Sequence, residues 1–129
     1  MTRQEYRVEG QAEPISHFTH AVRAGDLLFV SGIVAVDSEG TLVGRGDVVA
    51  QTRQVFENMR AVLAAGGCGF DDVVKVTIFL TDADDRPRIN PVRQQIFGRT
   101  RPASTLVEVS RLAVEGATIE IECVALVPS

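Results

Sequence analysis

Residues 118–127 read Thr-Ile-Glu-Ile-Glu-Cys-Val-Ala-Leu-Val, and this stretch decides the fold class. Its alternation predicts a β-strand, because successive side chains of a strand point to opposite faces of the sheet. One predicted face is wholly apolar: Ile119, Ile121, Cys123, Ala125 and Val127. The other is half acidic and half apolar: Glu120, Glu122, Val124 and Leu126. Helices can cover only one face of such a sheet, so we expect a neighbouring subunit to cover the apolar part of the second.

Three further strands are predicted. Residues 27–36 and 73–80 are rich in apolar and β-branched residues, and residues 103–109 alternate. The run Asp37-Ser38-Glu39-Gly40 follows the first of them and indicates a hairpin turn.

Two helices are predicted between these strands. Residues 47–65 have helical periodicity, with Asp47 as N-cap and Gly66-Gly67 as the end. A second helix is predicted from the cap Asn90 to Phe97, although Pro87 could open an earlier turn. The first helix has an expected buried stripe of Val48, Thr52, Val55, Met59, Val62 and Leu63. Its expected outward-facing residues are Gln51, Arg53, Gln54, Glu57 and Arg60.

Length and composition indicate one α+β domain over residues 1–129, since the chain has 129 residues, 45% of them apolar and 23% charged. The net charge of −4, with only one lysine among scattered basic residues, argues against a nucleic-acid-binding surface. No apolar run approaches the length of a membrane helix, and the polar N-terminus does not resemble a secretory signal. We therefore expect a cytoplasmic protein with no membrane contact.

The residues that usually mark cofactor sites are sparse. His17 and His20 lack Cys or carboxylate partners at ligand spacing, so surface or loop positions are expected and no metal site is predicted. No phosphate-binding glycine loop occurs, and no cofactor is expected. Cys68 and Cys123 are expected to be free thiols, with Cys123 in the core.

Two polar features remain open from the residues alone. Glu120 and Glu122 share one strand face and could hold a water for acid-base chemistry, or could be two solvated carboxylates on an exposed face. Ser31, followed by Gly32, could be a hydroxyl donor in a cleft or a turn residue at a strand end; the turn is the more frequent case.

The C-terminal third of the chain resembles a known family. The motif RPASTLVEVSRL at residues 101–112, followed by IEIECVA at 119–125, resembles the signature of the RidA/YjgF family. The likeness extends upstream through Phe29-Val30-Ser31-Gly32, residues 51–58, residues 73–80 and residues 90–97, and so covers nearly the whole chain.

The resemblance implies a chorismate-mutase-like fold, a mixed β-sheet backed by two helices. It also implies a homotrimer with small-molecule clefts between subunits. The best-known members hydrolyse reactive enamines and imines to 2-keto acids and ammonia, without a metal or organic cofactor.

The resemblance also implies a set of site residues. Glu120 matches the acidic residue that positions the attacking water, and Ser31 matches the strand-end serine. Asn90, Thr105 and the backbone at Leu106 fall among the substrate-binding positions. Three positions depart from the active members: Ser104 stands where an Arg grips the substrate carboxylate, Phe18 where Tyr is usual, and Ile33 where Gln is usual.

These departures imply a less polar ligand and doubtful activity on 2-iminobutanoate or 2-iminopropanoate. Arg101 is a poor substitute for the missing guanidinium, because an odd offset from Ser104 puts it on the opposite strand face. An arginine of an adjacent subunit, such as Arg93, Arg99 or Arg111, remains open.

Three functions follow in order of preference. The first is a divergent RidA-like hydrolase that acts on an enamine, imine or related small metabolite. The second is a non-catalytic trimer that binds a small molecule. The third, an endoribonuclease, is known among relatives but is disfavoured by the acidic charge.

Overall fold

A computed structural model describes residues 2–129. It is an α+β structure with six strands and two helices, which confirms the predicted class. The elements in chain order are β1 (Arg3–Tyr6), β2 (Ala21–Ala24), β3 (Leu27–Ile33), α1 (Val48–Ala65), β4 (Val73–Leu80), α2 (Arg86–Phe97), β5 (Ala103–Glu108) and β6 (Ile119–Leu126).

The strands form one mixed sheet in the order β1-β2-β3-β6-β4-β5. All neighbours are antiparallel except β4 and β5, which run parallel because α2 carries the chain back between them. The C-terminal strand β6 therefore lies inside the sheet, between β3 and β4. Its predicted apolar face is confirmed, since the five residues concerned are at most 9% exposed.

The second face of the sheet is left uncovered by the single chain. Leu27 and Phe29 of β3 pair across the sheet with Leu126 and Val124 of β6. Phe29 is 45% exposed and Leu126 51% exposed. Large apolar side chains that are clustered and exposed in this way mark an association surface.

Helix α1 packs its predicted stripe into the core, and Asp47 caps it by accepting a hydrogen bond from the Ala50 amide at 3.0 Å. One prediction for this helix is wrong, because Gln51 is fully buried. Its amide donates to the Gly44 and Gly116 carbonyls at 3.2 and 3.1 Å and accepts from the Thr118 amide at 2.8 Å. A buried side-chain amide is tolerated when backbone groups satisfy it, and a periodicity argument cannot see those partners.

The predicted start of the second helix is also wrong. Helix α2 begins at Arg86 instead of Asn90, after a short turn in which Asp82 accepts from the Asp84 amide. Pro87 sits in the first helical turn, where a missing amide hydrogen costs nothing. The predicted end at Phe97 and Gly98 is confirmed. Neither helix of residues 2–129 is long and apolar enough to cross a bilayer.

The strand predicted over residues 27–36 stops at Ile33, and beyond it Val36 forms only an isolated bridge with Leu42. The turn predicted after it is confirmed: the Asp37 carboxylate accepts from the amides of Glu39 and Thr41 at 2.9 and 3.0 Å. Strands β1 and β2 were not predicted, because four residues each are too few to establish a period and β1 is mostly polar and exposed.

Candidate functional site

A cavity of about 360 Å³ opens where the loop of residues 11–20 meets the end of β3 and the start of β6. Its lining brings together four of the predicted site residues: Phe18, Ser31, Ile33 and Glu120. The rest of the lining is mostly apolar, including Ile15, Val34, Val36 and Val62. A small apolar cavity with a few polar groups is the usual form of a small-molecule site.

Glu120 reaches this cavity across Gly32. A Cβ atom on Gly32 would stand 2.9 Å from Glu120 Cδ and 3.2 Å from its Cγ, so the Glu120 side chain can keep its present position only beside a glycine. Burial raises the pKa of Glu120, and the charge of Glu122 raises it further. A raised pKa allows a carboxyl to exchange protons at a pH above the ordinary glutamate range. Glu122 itself is exposed.

Ser31 lies within β3 and not in a turn. Its hydroxyl donates to the Thr19 carbonyl at 2.6 Å, and its amide donates to the His20 carbonyl at 3.0 Å. The hydroxyl proton is therefore used to hold the loop, which leaves the oxygen free to accept a hydrogen bond from a ligand.

The loop that carries Phe18 is fastened by His20. The Val8 amide donates to His20 Nδ1 at 2.8 Å, so the proton lies on Nε2, which donates to the Ala12 carbonyl at 2.9 Å. His20 is half-buried, and its two hydrogen bonds connect the loop to Val8 and Ala12. The sequence pattern gave no means of predicting this role. Phe18, next to it, is 45% exposed at the cavity.

The other predicted site residues lie elsewhere in the chain. Asn90 lines a second hollow of about 350 Å³ between α2 and the residues before β5. On β5, Ser104 pairs with Val76 of β4, and Leu106 pairs with Ile78. Val76 and Ile78 are buried on the face that the helices cover, so the side chains of Ser104 and Leu106 point to that face as well.

Thr105 points to the opposite face, where its hydroxyl accepts from Lys75 Nζ at 2.7 Å. The predicted site is thus divided into two groups on different parts of one chain. Glu120 belongs to the first group and Ser104 to the second.

The sequence left open that Arg93 of an adjacent subunit lies beside Ser104. In the structure, Arg93 of the same chain already does so, because its Nη2 donates to Ser104 Oγ at 3.0 Å. Arg93 is half-buried, and burial lowers the pKa of its guanidinium. The signal that could have found it is the parallel β4-α2-β5 crossover, which lays α2 against β5.

Both cysteines are buried and free, as expected. Burial raises the pKa of Cys68, and raises that of Cys123 to about 12. Thiols with raised pKa values are poor nucleophiles. Of the other groups that line the cavity, Glu13 is paired with Arg7 at 2.6 Å and both ring nitrogens of His20 are hydrogen-bonded to backbone, whereas Glu120 forms no ion pair within the described residues.

Comparisons with known proteins agree with this architecture. The family model described as Endoribonuclease L-PSP matches residues 9–127. A RutC family protein of Pyrococcus horikoshii is 41% identical over 117 residues, which are 91% of this chain and 92% of the relative. The 3-aminoacrylate deaminase RutC of Acinetobacter baylyi is 39% identical over 117 residues, again 91% of this chain and 92% of the relative.

Among solved structures, the YjgF gene product of E. coli superposes with a TM-score of 0.86 at 31% identity, covering 95% of this chain and 98% of that one. The sheet order, the two helices and the sequence matches therefore agree, and the chain belongs to the RidA/YjgF family, which is also described as the L-PSP or RutC family.

Proposed function

We propose that this protein is a hydrolase of the deaminase type that acts on an enamine, an imine or a related small metabolite, with Glu120 positioning the attacking water. The observation that carries the proposal is the half-buried carboxyl of Glu120, with its raised pKa, in a cavity with Phe18, Ser31 and Ile33. No metal or organic cofactor is required by this chemistry.

The reaction divides into three proton transfers and starts from the protonated imine. As the oxygen of water bonds to the iminium carbon, Glu120 accepts one proton from that water and the C=N electron pair moves to nitrogen, which gives a neutral carbinolamine. Glu120 then returns the proton to this nitrogen. As the C–N bond breaks, the carbinolamine hydroxyl gives its proton to Glu120, a ketone and ammonia leave, and Glu120 releases the proton to solvent. One carboxyl can serve as base and then as acid most efficiently when its pKa lies nearer the working pH.

The site is completed by assembly in this proposal. The Glu120 cavity shares no lining residue with the hollow of Asn90 and Arg93, and it is Arg93 that contacts Ser104. The exposed apolar face of Phe29 and Leu126 supplies an association surface. A homotrimer that buries this face would set one group of each subunit against the other group of its neighbour.

The name of one relative supports the reaction class. The Acinetobacter protein is a 3-aminoacrylate deaminase, and aminoacrylate is an enamine. The Glu120 cavity is large enough for a metabolite of that size.

The test follows ammonia release from imines generated in place by an amino-acid oxidase. Wild type is expected to accelerate release over the enzyme-free rate, and Glu120→Gln to abolish the acceleration, because an amide cannot accept the proton. Glu57→Gln, an exposed carboxylate on α1, is the matched control and should behave as wild type. No acceleration by wild type across a panel of imines would remove the proposal.

A second candidate, a trimer that binds a small molecule without turnover, is favoured by the mostly apolar lining of the cavity. It predicts saturable binding of a small ligand and no ammonia release in the same panel.

A further inference from the structure

The hollow between α2 and the start of β5 carries two guanidinium groups, those of Arg93 and Arg101. Asn90 and Phe97 also line it. Neither arginine takes part in the side-chain ion pairs formed within residues 2–129. The hollow is therefore concave and carries two cationic groups. The carboxylate of Asp71 accepts a hydrogen bond at 3.0 Å from Thr100, which also lines the hollow, but within the described residues it forms no ion pair with either arginine.

Arg93 is the more firmly placed of the two. It is half-buried, whereas Arg101 is exposed, and it donates to Ser104 Oγ at 3.0 Å. A hydroxyl accepts from only one or two of the five N–H donors of a guanidinium. A half-buried guanidinium with spare donors is best satisfied by an acceptor that takes two parallel hydrogen bonds, and a carboxylate has this geometry.

We propose that Arg93 supplies the guanidinium that binds the carboxylate of an acidic substrate, from α2 instead of from β5. The inference rests on the proposed function, and it names a specificity-determining residue of this chain that the resemblance does not. Ser104 is short, and the guanidinium of Arg93 occupies the space beside it, where the related enzymes are expected to project an arginine from β5. A less polar ligand is then not required by Ser104.

The inference assigns the guanidinium to the same chain as Ser104. Asn90 lies three residues before Arg93 on α2, and both line the same hollow. Residues three apart are neighbours on a helix surface, so the Asn90 side chain is close enough to assist in holding a bound acid.

The test measures binding separately from turnover. Calorimetric titration compares 2-oxobutanoate, a keto acid of the proposed product class, with its uncharged amide. Wild type is expected to prefer the acid, and Arg93→Gln to lose about ten- to a hundredfold in affinity for the acid with little change for the amide. Arg53→Gln is the matched control, since the exposed Arg53 guanidinium also donates to a neutral side chain, that of Gln95, at 2.9 Å.

Two more variants separate the charge from the fold of α2. Arg93→Lys keeps the charge but not the paired donors, and should fall between wild type and Arg93→Gln. The double variant Arg93→Gln, Ser104→Arg returns a guanidinium to β5 and should recover the preference for the acid. Circular dichroism and light scattering confirm that each variant is folded and assembled as wild type.

Equal affinity of wild type and Arg93→Gln for the acid would overturn the inference, as would an equal loss for acid and amide. Failure of the double variant to recover would overturn the placement of the guanidinium beside position 104. The proposed function fails separately: selective acid binding through Arg93 without ammonia release would refute the hydrolase and leave the carboxylate site. If ammonia release were unchanged in Arg93→Gln, the hydrolase would stand and the carboxylate site at Arg93 would be refuted.

Discussion

Glu120 lies against Gly32 so closely that a Cβ atom on Gly32 would stand 2.9 Å from the carboxyl carbon of Glu120. The carboxyl group is at the end of a flexible side chain, so an added methyl group would push it aside while the backbone stays in place. The position of the proposed catalytic group is thus set by the absence of a side chain on the neighbouring strand.

Gly32→Ala should therefore reduce turnover about ten- to a hundredfold while the fold is retained, because a displacement of about 1 Å can cost that much. The measurement pairs imine turnover with the thermal unfolding midpoint. Gly69→Ala is the control, since a Cβ there meets nothing within 4 Å. Full activity in Gly32→Ala would show that the carboxyl position is unimportant.

The raised pKa of Glu120 predicts a pH-dependent stability. Below the ordinary glutamate range both the folded and unfolded chains are protonated at this position, and no difference arises. As the pH rises through the interval between the ordinary and the raised pKa, the unfolded chain ionises first and the folded state loses stability.

Glu120→Gln removes this effect, so its free energy of unfolding relative to wild type should increase as the pH rises above about 4. Urea unfolding of both proteins across that range at one protein concentration measures the change. A difference that stays flat or falls with pH would contradict the raised pKa.

The buried hydrogen bonds of Gln51 lead to a prediction about the stability of the fold. Gln51→Leu keeps the side-chain volume but leaves the Gly44 and Gly116 carbonyls and the Thr118 amide without their partner. The free energy of unfolding should fall by about 3 kcal/mol, since each unmet buried group costs roughly 1–3 kcal/mol and the loops can relax in part. Denaturant unfolding measures the loss, and Gln4→Leu, on the exposed strand β1, should change it by less than about 0.5 kcal/mol.

The exposed face that contains Phe29 leads to a prediction about the oligomeric state. Wild type should scatter light as a particle of about three times the 13.9 kDa chain mass. Phe29→Glu places a charge among Leu27, Val124 and Leu126 and should yield a smaller species, because an unpaired charge is costly to bury. Ala64→Glu, on an exposed position of α1, should keep the wild-type mass. A wild type that stays monomeric at micromolar concentration would refute the trimer.

The predictable parts of the fold are those with a long, uninterrupted period. The alternation of β6 and the stripe of α1 each run the length of their element. The predicted buried residues of both are buried, although Gln51 of α1, predicted to face outward, is buried as well. The start of α2 and the strands β1 and β2 were missed, because proline-rich or four-residue segments contain too little pattern.

The candidate site was less predictable for a different reason. Glu120 and Ser31 were singled out from the residues with alternatives left open, and Phe18 and Ile33 came from the family resemblance. The structure places all four around one cavity. Arg93, His20 and Gln51 owe their roles to contacts with distant segments: Arg93 with Ser104, His20 with Val8 and Ala12, and Gln51 with Gly44, Gly116 and Thr118. Such contacts leave no periodic trace in the local sequence, so a periodicity argument cannot reveal them.

The division of the site between the interior strand β6 and the edge strand β5 has an evolutionary consequence. Substitutions around Glu120 disturb the core and the apolar face together, because alternate residues of β6 belong to each. Substitutions beside Ser104 fall at the margin of the sheet, where β5 pairs with β4 alone. Residues beside Ser104 can thus vary at the margin of the sheet while the strand that carries Glu120 stays unaltered at its centre.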